Sequence, residues 1–244
     1  MRDVEVAAAA ARAAADVLVE LRASGLTGRA LGDAGDAAAQ EAIAGVLAAH
    51  RPDDVVFSEE AADDRSRLEA GRVWIVDPLD GTREYGETDR SDFAVHVALW
   101  AAGTLTAAAV ALPAAGEVLV TDPAPALPAA VARAPRIAVS RTRPPAQAAA
   151  AAAAVGGELV PLGSAGYKVT AVVRGEVDAY VHAGGMYQWD SAAPVAVALA
   201  AGLTALRLDG SPLRYNEPDP SLPDLLVCRP ELAADLLAAV RGTT

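Results

Sequence analysis

One cysteine in 244 residues leaves no partner for an intramolecular disulfide and no thiolate cluster for zinc. Cys228 is therefore expected to be a small buried apolar residue, in a chain suited to a reducing cytoplasm. Histidine is nearly as scarce. His50, His96 and His182 show no mutual metal-ligand spacing, and His96, set among strand apolars, reads as a satisfied core residue. Basic residues are outnumbered, 20 Lys and Arg against 32 Asp and Glu, and the formal net charge of −12 argues against nucleic-acid polymers and anionic membrane surfaces. No Gly-x-x-x-x-Gly-Lys phosphate loop occurs, and Ser58, Ser140 and Ser191 lack a nucleophile-elbow setting, so covalent catalysis is not indicated.

Charge is missing altogether from residues 93–116, a stretch that a hydropathy window would flag as a membrane span. Gly103-Thr104 and Pro113 punctuate it, so it reads as two buried strands joined at Ala102-Gly103-Thr104. At the N-terminus, Asp3, Glu5, Arg12 and Asp16 interrupt an alanine-rich run, which argues against a secretory signal peptide and for an amphipathic helix.

What the chain has in quantity is apolar material, 53% of its residues, enough for a core without staples. Helical spacing predicts helices over 3–23 and 34–49, and Val55-Val56-Phe57 and Val73-Trp74-Ile75-Val76 are short β-prone runs. Residues 117–121 continue the strands, and the proline-rich 122–128 reads as a loop. Strands at 136–140, 158–162, 178–182, 205–208 and 225–228 alternate with helices at 148–154, 165–174, 190–201 and 230–241. A boundary between two subdomains falls near residue 134, giving 1–134 and 135–244.

The chemistry gathers at strand ends. The first two strands deliver Glu59-Glu60 and Asp77, and Asp77-Pro78-Leu79-Asp80-Gly81-Thr82 then places two carboxylates and the Leu79 carbonyl at one turn. Hard oxygen donors of this kind suit Mg²⁺, which keeps part of its shell for water and phosphate. The amides of Gly81 and Thr82 at an incipient helix start can hold phosphate oxygens. Asp80 capping an ordinary turn is the alternative for that segment alone.

Glu59-Glu60, Asp77 to Thr82, and Trp189-Asp190-Ser191-Ala192-Ala193 together resemble the Glu-Glu, Asp-Pro-Leu/Ile-Asp-Gly-Thr and Trp-Asp-x-Ala-Ala signatures of the inositol monophosphatase superfamily. The resemblance runs in register over almost the whole chain. It implies an α+β fold, a layered α/β/α/β/α sandwich, and two or three Mg²⁺ ions held by Glu59, Asp77, the Leu79 carbonyl, Asp80 and Asp190. Thr82 and Asp36, with Glu59, would serve the attacking water. Asp36 is set by a lead-in that departs from the family's Val-x-Thr-x-Ala-Asp, and Asp33 competes with it; helix N-capping is the other reading for either aspartate. The family also implies sensitivity to Li⁺, and its members are often homodimers.

In the second half, Leu162-Gly163-Ser164-Ala165-Gly166-Tyr167-Lys168 and Leu213-Arg214-Tyr215-Asn216 resemble the CysQ-type 3'(2'),5'-bisphosphate nucleotidases. One position differs, Ala165 standing where those enzymes commonly place a serine. Ser164, Lys168 and Tyr215, with Gly81 and Thr82, are the implied substrate contacts, although a surface lysine and a core-covering tyrosine are the plainer readings. The implied substrate is a small phosphate ester or nucleotide, foremost adenosine 3',5'-bisphosphate cleaved to AMP and phosphate in sulfate assimilation. Inositol-1-phosphate or fructose-1,6-bisphosphate comes next. Outside enzymes, the alternatives are a nucleotide- or phosphate-binding protein and an acidic interaction protein.

Overall fold

The computed structural model describes residues 1–241. Two helices lead, α1 (Asp3–Arg22) and α2 (Gly28–His50), and a five-stranded sheet follows: β1 (Val55–Ser58), β2 (Arg72–Asp80), β3 (Ala94–Ala101), β4 (Thr104–Leu112) and β5 (Glu117–Val120). A short helix α3 (Thr82–Gly86) follows β2. The second half holds β6 (Arg136–Ser140), α4 (Ala146–Ala154), β7 (Glu158–Leu162), α5 (Ala165–Val173), β8 (Ala179–Tyr187), α6 (Gln188–Ala200), β9 (Thr204–Leu206), β10 (Ser221–Cys228) and α7 (Ala233–Arg241). The first sheet runs β1-β2-β3-β4-β5, with only β1 and β2 parallel; the second runs β7-β6-β8-β10-β9.

Strand alternation decides the layering. Trp74 and Val76 of β2 face α1 and α2, whose Val6, Ala10, Ala14, Leu18, Ile43 and Leu47 form one buried cluster with them. Val73 and Ile75 face the opposite way, into a core shared with α5, α6 and the second sheet's Tyr180, Leu225 and Val227. The outer face of that second sheet, with Ile137, Val181 and Leu226, is closed by α4 and α7. The order is α/β/α/β/α. Each fully buried Val, Leu or Ile contributes about 1.5–3 kcal/mol, and the middle core draws on both sheets whereas each outer cluster lies within one half. The second sheet begins at Arg136.

Residues 93–116 form strands, as their punctuation predicts, and no helix among the described residues is long and apolar enough to cross a membrane. Cys228 is fully buried, and burial pushes its thiol up to about 12.

Two details differ from the expectation and matter for the site. Helix α2 starts at Gly28, well before residue 34, so Asp33 and Asp36 lie inside it and neither caps it. Strand β2 does not stop at Asp77 but continues to Asp80 through a bulge: Asp77 pairs with His96 and Asp80 with Ala94. Pro78, which has no N–H to give to a ladder, sits within that irregularity.

Candidate active site

The bulge sets the position of the carboxylates. Asp77 is 1% exposed; its Oδ1 accepts the Leu79 N–H at 3.1 Å, while its Oδ2 is buried without any hydrogen-bond partner. Asp80 is held from across the molecule, its Oδ2 accepting both the Ser164 hydroxyl and the Gly166 N–H at 2.6 Å. Gly81 follows with φ +94°, a conformation costly for other residues, and a Cβ there would meet Ser164 Cβ at 3.1 Å and Phe93 Cβ at 3.3 Å. The Thr82 hydroxyl lies 3.2 Å from the Leu79 carbonyl and 3.4 Å from Asp36 Oδ1. Asp33 is exposed and faces Arg29 at 3.5 Å, so the structure brings Asp36, not Asp33, to Thr82.

Strand β1 brings in Glu59, whose N–H extends the parallel ladder to the Val76 carbonyl at 3.2 Å. Helix α6 brings in Asp190 from the second half. Its Oδ2 accepts the Tyr187 N–H at 2.7 Å, so this carboxylate also caps the helix whose first turn carries it. Trp189 packs between Tyr187, stacked at 4.7 Å, and Phe57, edge-on at 5.1 Å, which fixes that turn against the end of β1. Glu59, Asp77 and Asp190 thereby each offer an oxygen within 4.8 Å of the others.

Crowded carboxylates resist ionisation. Burial, then the charges of Glu60 and Glu59, pushes Asp36 up to about 7. Burial, then Asp80 and Glu60, does the same to Glu59, up to about 7, although the rest of that side chain keeps contact with solvent. Asp190 rises to about 8 through burial and Asp80, and Asp77 is raised well above the usual range by burial and the charges of Asp80, Glu59 and Asp190. A buried orphan oxygen inside such a cluster is the signature of a group whose natural partner is a cation. The donors of this trio are all oxygens and fit a hard divalent metal, while a second group, Asp77, Asp80 and His96, sets a ring nitrogen within 4.8 Å of two of the carboxylates.

A cavity of about 320 Å³ adjoins the cluster, lined among others by Asp80, Gly81, Thr82, Ser164, Lys168 and Asp190 and by Arg141, Arg143 and His182. Lys168 is no surface lysine. It is 4% exposed, its Nζ donates to the carbonyls of Gly163 at 3.0 Å and Ser164 at 2.5 Å, and burial lowers its pKa to about 8. Ser164 lines the cavity while its hydroxyl also accepts the Tyr167 N–H at 2.9 Å, capping α5.

Tyr215 is not brought to this cavity. It is 8% exposed in the middle core, with its hydroxyl 3.2 Å from Ser191 Oγ, and it borders a separate apolar groove of about 840 Å³ that contains none of the acidic cluster. Its ring is consumed by packing that supports α6. His96 departs from the satisfied core residue expected of it: its Nε2 is buried without a hydrogen-bond partner, 3.4 Å from Asp80 Oδ2. Arg141 and Arg143 went unread in the sequence, although they stand at the end of β6, the position that marked Glu59 at the end of β1. Arg141 is engaged by Glu84 at 2.6 Å and Glu87 at 2.7 Å. Arg143 is exposed and forms no ion pair among the described residues.

The inositol monophosphatase family model matches residues 2–243. The chain belongs to that family. A 3'-phosphoadenosine 5'-phosphate phosphatase of Mycobacterium leprae (strain TN) is 51% identical, the match covering 99% of this chain and 94% of the relative. A protein of the same description from Mycobacterium bovis (strain ATCC BAA-935 / AF2122/97) is 54% identical over 86% of this chain and 82% of its own length. Among solved structures, an inositol monophosphatase II from Staphylococcus aureus MSSA476 superposes with a TM-score of 0.82 at 20% identity, covering 98% of this chain and 96% of that one. CysQ from Bacteroides thetaiotaomicron gives 0.80 at 24% identity, over 93% and 97%. At such identities the structural likeness speaks to the fold, and it agrees with the layering above.

Proposed function

We propose that this inositol monophosphatase family member is a Mg²⁺-dependent phosphomonoesterase that hydrolyses adenosine 3',5'-bisphosphate to AMP and phosphate. The observation that carries the reading is a cavity lined both by Asp80 and Asp190 of the acidic cluster and by the basic Lys168, Arg141 and Arg143, in a chain more than half identical to relatives described as 3'-phosphoadenosine 5'-phosphate phosphatases. Removal of that bisphosphate would place the enzyme in sulfate assimilation.

Glu59, Asp77, Asp80, Asp190 and the Leu79 carbonyl would hold the cations, Asp80 through the Oδ1 that its bonds to Ser164 and Gly166 leave free. Mg²⁺ held there would supply an acidified water and offset charge on the entering and leaving oxygens. The protein's own part is positioning and proton handling. Thr82, fixed between the Leu79 carbonyl and Asp36, would orient the nucleophile, and Asp36, half-buried 3.4 Å from the Thr82 hydroxyl, is the base placed to take its proton through that hydroxyl. The amides of Gly81 and Thr82 would receive the phosphate to be cleaved. An ammonium has three donors, and Lys168 uses two on carbonyls, which leaves one for the substrate's other phosphate. Arg143 at the rim is the second candidate for that phosphate.

The test is phosphate release from adenosine 3',5'-bisphosphate, inositol-1-phosphate, fructose-1,6-bisphosphate and histidinol phosphate in Mg²⁺. The bisphosphate nucleotide is expected to lead in kcat/KM by at least about tenfold, or about 1.4 kcal/mol. A lead by one of the other esters would overturn the substrate, and turnover of none would overturn the enzyme.

A further inference from the structure

His96 stands where both halves of the acidic cluster meet. On β3 it is the ladder partner of Asp77, and its ring is 1% exposed. Nε2 lies 3.4 Å from Asp80 Oδ2, and Nδ1 lies 3.8 Å from Asp77 Oδ2 and 3.2 Å from the carbonyl of Trp189, the residue before Asp190. A Cβ on Gly166 would stand 1.8 Å from Nε2, so the first turn of α5 is a glycine where this ring passes. One imidazole thus borders β2, α5 and α6 at once.

The carbonyl of Trp189 can only accept, so the 3.2 Å contact requires the proton on Nδ1. In the neutral ring Nε2 is then a bare lone pair. It faces Asp80 Oδ2, which already accepts from Ser164 and Gly166, and it leaves that oxygen nothing to gain by turning toward the ring. The effect is to keep Asp80 Oδ2 on the second half's donors and its Oδ1 free for the cluster. On the other side, the Nδ1–H tethers the turn of α6 that presents Asp190.

We propose that His96 is a positioning residue, which sets the spacing between the carboxylates of β2 and Asp190 through the Nδ1–H bond to Trp189 and the ring edge against Asp80. The proposal rests on reading Asp77, Asp80 and Asp190 as cation ligands, and it does not depend on which ester is cleaved. Partners that orient metal ligands typically account for 10–100-fold in affinity.

The test measures Mn²⁺ binding to the full chain by calorimetry, alongside the Mg²⁺ concentration for half-maximal phosphate release and the melting temperature in EDTA. His96→Asn keeps an N–H near the Nδ1 position, whereas His96→Gln places its amide near Nε2 and His96→Leu has no donor. His96→Asn is expected to bind Mn²⁺ within about threefold of the parent, and the Gln and Leu variants about 10–100-fold more weakly, with substrate KM at saturating Mg²⁺ unchanged within about threefold. Parental Mn²⁺ affinity in His96→Leu, equal affinities for Asn and Gln, or losses that follow melting temperature instead of donor position would each overturn it. A parent that binds Mn²⁺ but cleaves no phosphomonoester would refute the proposed function and leave this comparison intact.

Discussion

Asp77 illustrates how a residue proposed to hold the cation can work against the fold. Its Oδ2 is buried with no donor, and Asp80, Glu59 and Asp190 oppose its charge, so the metal-free protein favours the protonated acid. Asn at this position keeps the shape and removes the charge. Asp77→Asn is expected to lower kcat by about 10³ or more, at least about 4 kcal/mol of transition-state stabilisation, while the melting temperature in EDTA near pH 8 stays level or rises. Activity within about tenfold of the parent would sink the cation-ligand role. Lys168 makes the complementary case for substrate choice. Lys168→Ala is expected to reduce kcat/KM by about 10–100-fold on adenosine 3',5'-bisphosphate and by less than about threefold on a monophosphate ester, because only the former has a second phosphate to lose. Equal losses on both substrates would count against that assignment.

At the scale of elements, the segment after β1 that carries Glu59 is anchored from the far half of the chain. Arg67, fully buried, pairs with Asp63 at 2.6 Å, donates to Asn216 Oδ1 at 2.8 Å and the Glu217 carbonyl at 3.0 Å, and lies 3.9 Å over the Phe57 ring. Asn216 returns a bond from Nδ2 to the Arg67 carbonyl at 3.1 Å. The segment around Tyr215, which resembles a nucleotide-lining element, is in this fold a clamp for the β1 loop and a brace for α6. Removal of Arg67 strands the Asn216 carbonyl and empties the space under Phe57. Arg67→Ala is expected to cost about 2–4 kcal/mol in urea unfolding; a loss below about 0.5 kcal/mol would show that the clamp is dispensable.

For the whole molecule, the acidic cluster sets the pH dependence of stability. Asp36 and Glu59 at about 7 and Asp190 at about 8 bind protons in the folded state that the unfolded chain releases near pH 4. His96 and His182, whose pKa values burial lowers, oppose this below about 6.5, but the more numerous raised carboxylates leave the native state with more protons, and the stability of the metal-free protein falls as pH rises from about 5.5 to about 7.5. The upper limit stays below the window from about 8 upward, where the lowered pKa of Lys168 acts with the opposite sign. Carboxylates lowered by Arg partners, such as Asp3 and Asp224, are already ionised across the range. A divalent metal held by the proposed ligands would take the place of those protons. Melting in EDTA is thus expected to drop between pH 5.5 and 7.5, and the Mg²⁺-induced rise in melting temperature is expected to grow over the same interval. At Mg²⁺ near 100 times its Kd the stabilisation is about 2.7 kcal/mol, about 5–10 °C for a chain of this size. A melting temperature that climbs with pH in EDTA would contradict the cluster's assignment.

Local pattern determined a great deal here. Apolar spacing predicts nearly every helix and strand, since an amphipathic face is a property of consecutive residues, and the acidic strings at strand ends mark Glu59, Asp77 and Asp80 before any folding is considered. Contacts between distant segments were not legible in this way. That β2 runs on through a bulge, that Asp36 rather than Asp33 meets Thr82, that Lys168 is buried on two carbonyls, and that Tyr215 turns into the core all depend on which surfaces pack together. His96 shows the division most clearly: its sequence context is a run of strand apolars, yet the fold of both halves places its two nitrogens against Asp80 and the Trp189 carbonyl. Short-range periodicity determined the elements and the ligand chemistry; only the close packing of two sheets and the helices between them decided which polar atoms are left without water and must find each other.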